Sequence, residues 1–160
     1  MAAGDTLLEF DALANRPPAT GFATVSLLGD WPVLVFADGE TQAGQFAAFV
    51  PGAYRGGALI VAGVATADVT SGVAQLQLDL YRVADGDALG ALPTPSATLT
   101  TSVSAPTTAG DAVTFAFSAG TMASLAAGDW LVVRVSRIGG DAGDTLAGAV
   151  DLLGVTVTEQ

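Results

Sequence analysis

The chain has 160 residues, a formal net charge of −11 and no cysteine, histidine or lysine. Without these side chains there can be no Ser-His-Asp or Cys-His pair, no Cys/His zinc site and no catalytic lysine, and the acidic surplus disfavours a nucleic-acid partner. The length fits one domain with a single core.

The hydropathy is high for a chain in which no membrane segment is predicted. Apolar residues make up 51% of the chain, charged residues 13%, and the mean hydropathy is +0.54. The longest apolar run, residues 58–67, is half of the roughly 20 residues that a membrane-spanning helix needs, and the acidic N-terminus lacks the basic start of a signal peptide. We therefore expect no membrane partner. We expect apolar surface to be buried instead in a homo-oligomer or against a larger assembly. The alternative is a monomer whose high hydropathy comes from its abundant alanine and glycine.

The first 20 residues are predicted to form an extended arm. Pro17 and Pro18 close this segment, favour an extended backbone and remove two hydrogen-bond donors. Such an arm can add a strand to the sheet edge of a neighbouring subunit. The predicted organisation is therefore an arm over residues 1–20 and one folded domain over residues 21–160.

The folded domain is predicted to consist of strands, because apolar and polar residues alternate with period two in short segments. Residues 72–83 are the best example, with Ala74, Leu76, Leu78 and Leu80 on one face and polar side chains on the other. Turns rich in glycine and aspartate separate the segments. The predicted strands, in chain order, are 22–28, 32–37, 45–50, 57–66, 72–83, 97–104, 111–118, 129–138 and 149–159.

This spacing of strands and turns predicts an all-β fold. We expect a single antiparallel β-sandwich of about eight strands that resembles a jelly roll. At most one short helix is expected, over residues 121–128, with Thr121 as its N-cap and Gly128 at its C′ position. No repeat of fixed period is found, so a propeller or a solenoid is disfavoured.

The segment RIGGDAGDT joins the last two predicted strands and carries two carboxylates. Asp141 and Asp144 are the candidate ligands for Ca²⁺, which prefers oxygen donors, although the loop lacks the acidic pattern of an EF-hand. The composition favours a structural connection, in which Gly139, Gly140 and Gly143 supply positive φ and the aspartates bind nearby N–H groups. We therefore predict neither a metal nor a cofactor.

Four aromatic residues, Trp31, Tyr54, Tyr81 and Trp130, are candidates for a sugar-binding face. Aromatic side chains line such faces in carbohydrate modules of the sandwich type. Only 7% of the chain is aromatic, however, and packing in the core or in an interface explains these residues without a ligand. The interpretation by packing is the favoured one.

Two blocks of the chain, residues 31–83 and 124–159, resemble a family of small virion structural proteins of tailed bacteriophages. The family pattern begins with a PVLxFD strand and a Phe/Pro/Tyr-Gly-Gly segment and continues through a TSG turn and a strand that ends in arginine. It closes with SLxAGDxLxLRVxRD…DT…GDxxLLxVxV. Ala37 and Ile138 depart from it, because aspartate is usual at both positions. The matching residues are 32–36, Phe49, Pro51, Tyr54, Gly56, Gly57, 70–72, Arg82, Leu125, Gly128, Asp129, Arg134, Arg137, Asp144, Thr145, Leu152 and Leu153.

The resemblance implies a non-enzymatic role in the virion. Some family members resemble jelly-roll decoration or cement proteins, commonly trimers, and the expected role is to bridge and stabilise neighbouring capsomers on the outer surface of the capsid. The expected partners are further copies of the chain, in a homotrimer, and the major capsid protein. The alternative is a head-fibre or tail module that binds a host-surface glycan. We expect Arg134 and Arg137 to pair with nearby acids or to bridge subunits. The interface candidates are Leu7, Leu8, Phe10, Arg16, Pro17, Pro18, Arg134 and Arg137.

Overall fold

A computed structural model describes residues 4–160 of the chain as two antiparallel sheets packed face to face. The predicted all-β, jelly-roll-like sandwich is confirmed. Its strands are β1 (Asp5–Asp11), β2 (Thr24–Leu28), β3 (Trp31–Phe36), β4 (Thr41–Phe49), β5 (Leu59–Ala67), β6 (Val73–Val83), β7 (Ala97–Ser104), β8 (Val113–Gly120), β9 (Trp130–Ile138) and β10 (Val150–Glu159).

Sheet A contains six strands and is organised around β10. Its hydrogen-bonded order is β2-β3-β10-β5-β8, and β1 also pairs with β10. On the same side of β10, β3 pairs with residues 150–152 and β1 pairs with residues 154–159. Two short strands thus share one long neighbour, with β5 on its other side.

Sheet B contains four strands in the order β4-β9-β6-β7. In its central strand β9, Leu131, Val133 and Val135 are at most 1% exposed and point into the sandwich. Because successive side chains of a strand point to opposite faces, the residues between them point outward. The outward set of β9 is Trp130, Val132, Arg134, Ser136 and Ile138.

The core lies between the inward faces of the two sheets. The predicted inward set of β6 is fully buried, with Ala74, Leu78 and Leu80 at 0% exposure and Leu76 at 2%. Alternation therefore identified the buried face of this strand correctly.

The N-terminal segment is not the extended arm that the prolines suggested. Residues 5–11 form β1, which pairs antiparallel with β10 of the same chain. Phe10 stacks on Phe46 with 5.3 Å between ring centroids, and Leu7 and Leu8 pack against the core. The prediction of an arm was wrong because the apolar side chains of this segment find a place in the chain's own sandwich, where β10 offers them an open edge.

No α-helix forms over residues 121–128. Ser124 has a φ of 65° and Gly128 a φ of 89°, and the Asp129 side chain accepts a hydrogen bond from the Ala126 N–H at 2.9 Å. These left-handed residues divide the segment into two turns. The helical element of the described chain is instead a 3₁₀ turn over Ala12–Ala14, capped by Asp11. No helix within residues 4–160 is long and apolar enough to span a membrane.

Candidate functional site

The outward side chains of sheet B form a polar and aromatic surface, which we call the sheet B face. One row across the sheet consists of Gln45 in β4, Arg134 in β9, Asp79 in β6 and Thr98 in β7. Side chains in one row of an antiparallel sheet are direct neighbours. The ladder register therefore brings together an amide, a guanidinium, a carboxylate and a hydroxyl group.

An aromatic cluster lies at one end of this face. Phe49 and Trp130 are paired across β4 and β9, with ring centroids 4.8 Å apart in an edge-to-face arrangement. The guanidinium of Arg16 lies 5.4 Å from the centroid of the Trp130 ring. Phe49 is 67% exposed and Trp130 is half-buried. The cluster thus presents aromatic surface to solvent, bordered by a cation.

Arg134 is held in place from two sides at the centre of the face. Its Nε and Nη2 atoms donate to Oε1 of Gln45 at 3.0 and 2.7 Å. Its guanidinium lies 5.3 Å from the ring centroid of Tyr81. A planar cation fixed by two hydrogen bonds and an aromatic ring loses little freedom when it binds a ligand.

Gln45 also joins the face to the N-terminal segment. Its N–H donates to Oδ1 of Asn15 at 3.0 Å, and its carbonyl accepts the N–H of Arg16 at 2.7 Å. The same residue therefore positions Arg16 through its backbone and Arg134 through its side chain.

Asp79 is the carboxylate of the face, and it is 7% exposed. It accepts hydrogen bonds from Oγ1 of Thr98 at 2.6 Å and from Nε2 of Gln77 at 3.0 Å. Burial raises the pKa of Tyr81, Arg134 lowers it and Asp79 raises it, so the net shift is upward. The phenol of Tyr81 is therefore neutral near pH 7 and can act as a hydrogen-bond donor.

The four predicted aromatic candidates do not form one site. Tyr81 and Trp130 lie on the sheet B face, in adjacent rows of β6 and β9. Tyr54 is buried and donates from its hydroxyl group to the carbonyl of Gly57 at 3.2 Å. Trp31 is 66% exposed in β3 of the opposite sheet.

Two polar members of the face were missed by the sequence analysis. Gln45 holds Arg134, and Gln77 donates to Asp79. A glutamine in a strand has no distinguishing spacing, so neither residue could be recognised before the strand order was known.

The two arginines of β9 have different environments. Arg134 points outward, whereas Arg137 has 0% exposure and lies inside the sandwich. Its guanidinium forms a two-bond contact with Asp144 at 2.9 and 2.8 Å, and both side chains are inaccessible to solvent. The proposal of Arg137 as an interface residue was therefore wrong, because nothing outside the chain can reach it.

The two candidate Ca²⁺ ligands, Asp141 and Asp144, form hydrogen bonds within the protein. Asp144 binds Arg137 and also accepts the N–H of Gln75 at 3.1 Å. Asp141 accepts the N–H of Gly143 at 2.7 Å. Among residues 4–160, no group of three or more acidic, histidine or cysteine side chains is placed to hold a metal. The segment has the geometry of a structural connection.

Gly139 of this connection serves a purpose different from the predicted one. Positive φ does not occur at Gly139, Gly140 or Gly143. A Cβ atom on Gly139 would lie 2.6 Å from the carbonyl oxygen of Glu40. Close packing against the neighbouring backbone, not a left-handed conformation, requires glycine at this position.

The other interface candidates also lie close to the chain's own sheets. Arg16 is exposed and borders Trp130, and Arg134 lies at the centre of the sheet B face. Pro17 is exposed and Pro18 half-buried after the 3₁₀ turn.

A shallow cleft of about 740 Å³ lies on the opposite side of the molecule, on the outer face of sheet A. Small and aliphatic residues such as Ala62, Val64, Ala116 and Leu153 line it, together with Glu9. The cleft offers few convergent polar groups, so its chemistry is less specific than that of the sheet B face.

Comparisons with known proteins support the fold. Neither a protein-family model nor a curated protein matches the chain. Among solved structures, the exo-β-1,3-galactanase of Phanerochaete chrysosporium with β-1,3-galactotriose aligns at a TM-score of 0.57 and 10% identity over 98% of this chain. The chain spans only 29% of that enzyme's length. At this identity the likeness establishes the sandwich architecture alone.

Two further structures match with lower TM-scores. A CBM4 structure aligns at a TM-score of 0.46 and 20% identity, covering 86% of this chain and 78% of its own. The enzymatically active domain of bacteriophage CBA120 tailspike protein 4 aligns at a TM-score of 0.46 and 10% identity, covering 97% of this chain and 19% of its own.

Proposed function

We propose that the chain is a non-catalytic carbohydrate-binding module and that the sheet B face holds the glycan. The observation that supports this proposal is the combination of an exposed aromatic cluster with preorganised polar groups on one surface. Binding sites for small molecules typically combine aromatic contact area with a few fixed polar groups that set orientation.

The aromatic and polar parts of the face have complementary roles. The rings of Phe49 and Trp130 provide apolar area against which the C–H surface of a pyranose ring can pack. Arg134 and Gln45 offer donors and acceptors of fixed geometry to sugar hydroxyl groups. Because these groups already hold one another in place, binding a sugar costs little side-chain entropy.

The carboxylate content of the face favours binding without hydrolysis. Asp79 is the single carboxylate among the outward strand residues of sheet B. Glycoside hydrolysis commonly needs two carboxyl groups on either side of the scissile bond. Asp79 moreover accepts hydrogen bonds from Thr98 and Gln77, so its role in this proposal is to orient neighbouring donors.

The proposal can be tested with a matched pair of tryptophan variants. Trp130→Ala removes the aromatic cluster, and Trp31→Ala removes the other tryptophan of the chain, which lies in sheet A. Affinity electrophoresis or calorimetry against a panel of polysaccharides, including β-1,3-linked galactan, should show binding by the native chain. Trp130→Ala should weaken it about tenfold, the equivalent of about 1.4 kcal/mol, and Trp31→Ala should not change it.

Fluorescence gives an independent readout of the same contact. In a Trp31→Phe variant, Trp130 is the remaining tryptophan, and saturation with a glycan should shift its emission. If no glycan of the panel binds, or if both alanine variants bind equally well, the sheet B face is not a sugar site.

Decoration of a virion is the second candidate function, and exposed apolar side chains are the observation that favours it. Leu27, Trp31 and Phe22 are 71%, 66% and 50% exposed, which suits attachment to another protein. The homotrimer, the major capsid protein as partner and the outer capsid surface are predictions within this candidate. Labelling the chain in purified particles tests it: many copies spread over the shell would support decoration, whereas a few copies at the tail tip would favour the glycan-binding alternative.

A further inference from the structure

Strand β2 forms an edge of sheet A that no part of the described chain covers. β2 pairs on one side with β3 and has no strand on its other side. The edge of β4 differs, because the N–H groups of Arg16 and Ala23 bind its carbonyls. Strand β1 contains three acidic residues, Asp5, Glu9 and Asp11. The end strands β7 and β8 contact each other across the sandwich.

The composition of β2 does not protect this edge. Its sequence, TVSLL, contains no charged residue, no proline and no glycine, although charges and prolines are the usual means of preventing strand addition. Val25 is 47% exposed and Leu27 is 71% exposed. An uncharged edge strand with exposed apolar side chains is suited to pairing with another strand.

The hairpin geometry shows which backbone groups are free. Gly29, with a φ of 60°, and Asp30 form the two-residue loop that joins β2 to β3, so Leu28 and Trp31 are the hydrogen-bonded pair that closes it. Hydrogen-bonded and non-hydrogen-bonded pairs alternate along an antiparallel ladder. The N–H and C=O groups of Val25 and Leu27 therefore point to the open edge.

We infer that β2 pairs antiparallel with β2 of a second copy of this chain, about a two-fold axis that passes beside Ser26. In this register Val25 exchanges both backbone hydrogen bonds with Leu27 of the second copy, and Leu27 does so with the second copy's Val25. Ser26 lies opposite Ser26 of the second copy, as a non-hydrogen-bonded pair. The outward-pointing backbone groups of the central residues are then satisfied.

A second copy suits this edge because the sequence of β2 is complementary to itself in this register. Val25 and Leu27 lie on one face, so the dimer brings together an apolar cluster made of both residues from both copies. The antiparallel arrangement also places the two Asp30 carboxylates at opposite ends of the ladder. This arrangement limits the repulsion between those two carboxylates, in a dimer of chains that each carry a net charge of −11.

Disulfide trapping tests the register directly, because the native chain contains no cysteine. Non-hydrogen-bonded neighbours have Cβ atoms about 4.5–5.5 Å apart, close enough for a disulfide after small adjustment. Ser26→Cys should form a covalent dimer rapidly on mild oxidation. Thr114→Cys, exposed on β8, is the matched control and should cross-link far more slowly.

Charge substitutions test the same pairing without a covalent bond. Sedimentation of the native chain over a concentration series should show a monomer–dimer equilibrium. Val25→Glu with Leu27→Glu should abolish the dimer, because like charges then face each other. Val25→Glu with Leu27→Lys should restore it, because the carboxylate introduced at position 25 then faces the ammonium group introduced at position 27 of the second copy. Thermal melting of both double variants checks that the sandwich is intact.

The outcomes separate the possible occupants of this edge. A native chain that stays monomeric, or that forms a trimer, would overturn the inference and leave the edge to a strand of a different protein. Equal cross-linking at Ser26 and Thr114, or equal association of the two charge variants, would also overturn it. Glycan binding is measured separately, so its result does not affect this test.

Discussion

Replacement of Arg137 by methionine should destabilise the fold strongly, although Arg137 touches no candidate ligand surface. The guanidinium binds both carboxylate oxygens of Asp144 and donates to the carbonyls of Leu146 at 2.6 Å and Gly148 at 2.5 Å. It thereby ties the connection before β10 to the inner face of β9. Methionine fills part of the volume but removes every hydrogen bond that the guanidinium donates to these acceptors, and it removes the charge that compensates Asp144.

The expected magnitude follows from the burial of the pair. Removing one partner of a buried ion pair costs roughly 3–5 kcal/mol, because the remaining charge is uncompensated. For a chain of this size 1 kcal/mol corresponds to about 2–4 °C, so the melting temperature should fall by roughly 6–20 °C. Urea denaturation and calorimetry measure the two quantities. Arg55→Met is the control, since Arg55 is exposed and should tolerate the change.

A double-mutant cycle identifies the cause of the loss. If the pair is responsible, Arg137→Met combined with Asp144→Asn should cost less than the sum of the two single variants. The reasoning would be refuted if Arg137→Met lowered the free energy of unfolding by less than about 1 kcal/mol, or if the effects of the two single variants were strictly additive. The buried Arg137–Asp144 pair would then not be what holds this connection in place.

Three further predictions concern stability. Burial raises the pKa of Asp144, but its hydrogen bonds with Arg137 and the Gln75 N–H lower it more. The stabilising effect of Asp144 should therefore be complete above the unfolded-state pKa of about 4 and be lost as pH falls through the lower folded-state pKa, so that acid titration of the unfolding free energy is flatter in Asp144→Asn. Deletion of residues 1–11 should lower the melting temperature, because β10 loses a paired strand; an unchanged melt would contradict the role of β1. Addition of EDTA should leave the melting temperature unchanged, and a drop would point to a bound cation.

Alternation allowed most of the sandwich to be predicted from the sequence. It located β6 and β9 and assigned their buried faces, because a strand with one face in the core must place apolar residues at every second position. It did not reveal β1. Pro17 and Pro18 predicted an extended segment. That segment pairs with β10, which lies near the other end of the sequence, and local patterns do not encode such a long-range pairing.

The candidate site was predictable only in part, for a related reason. Tyr81 and Trp130 stood out as aromatic residues, yet their proximity arises from the β6–β9 register, and the order of strands is not encoded in local periodicity. The sheet B face is assembled from strands β4, β6, β7 and β9, which are far apart in the chain. Its polar members, such as Gln45, can be recognised as parts of one site only when that order is known.

The spacing of the two arginines in β9 places their side chains on opposite faces of the strand, so that one has a structural role and the other is available to a ligand. Arg134 and Arg137 are three residues apart, an odd number, so the strand must direct them to opposite faces. Arg137 enters the core, where an arginine is tolerated only with a full set of acceptors, and those acceptors come largely from the connection to β10.

Arg134 faces outward and is held by Gln45 and Tyr81 while part of its surface stays open. A guanidinium that is fixed by a neutral amide and a ring keeps its charge available to a ligand. For this reason Arg134→Met should reduce glycan binding with little loss of stability. Arg137→Met should lower the stability of the fold and leave glycan binding by the folded protein nearly unchanged. Calorimetric titration and thermal melting of the two variants side by side measure both effects, and a large fall in melting temperature for Arg134→Met would mean that its contacts serve the fold instead of a ligand.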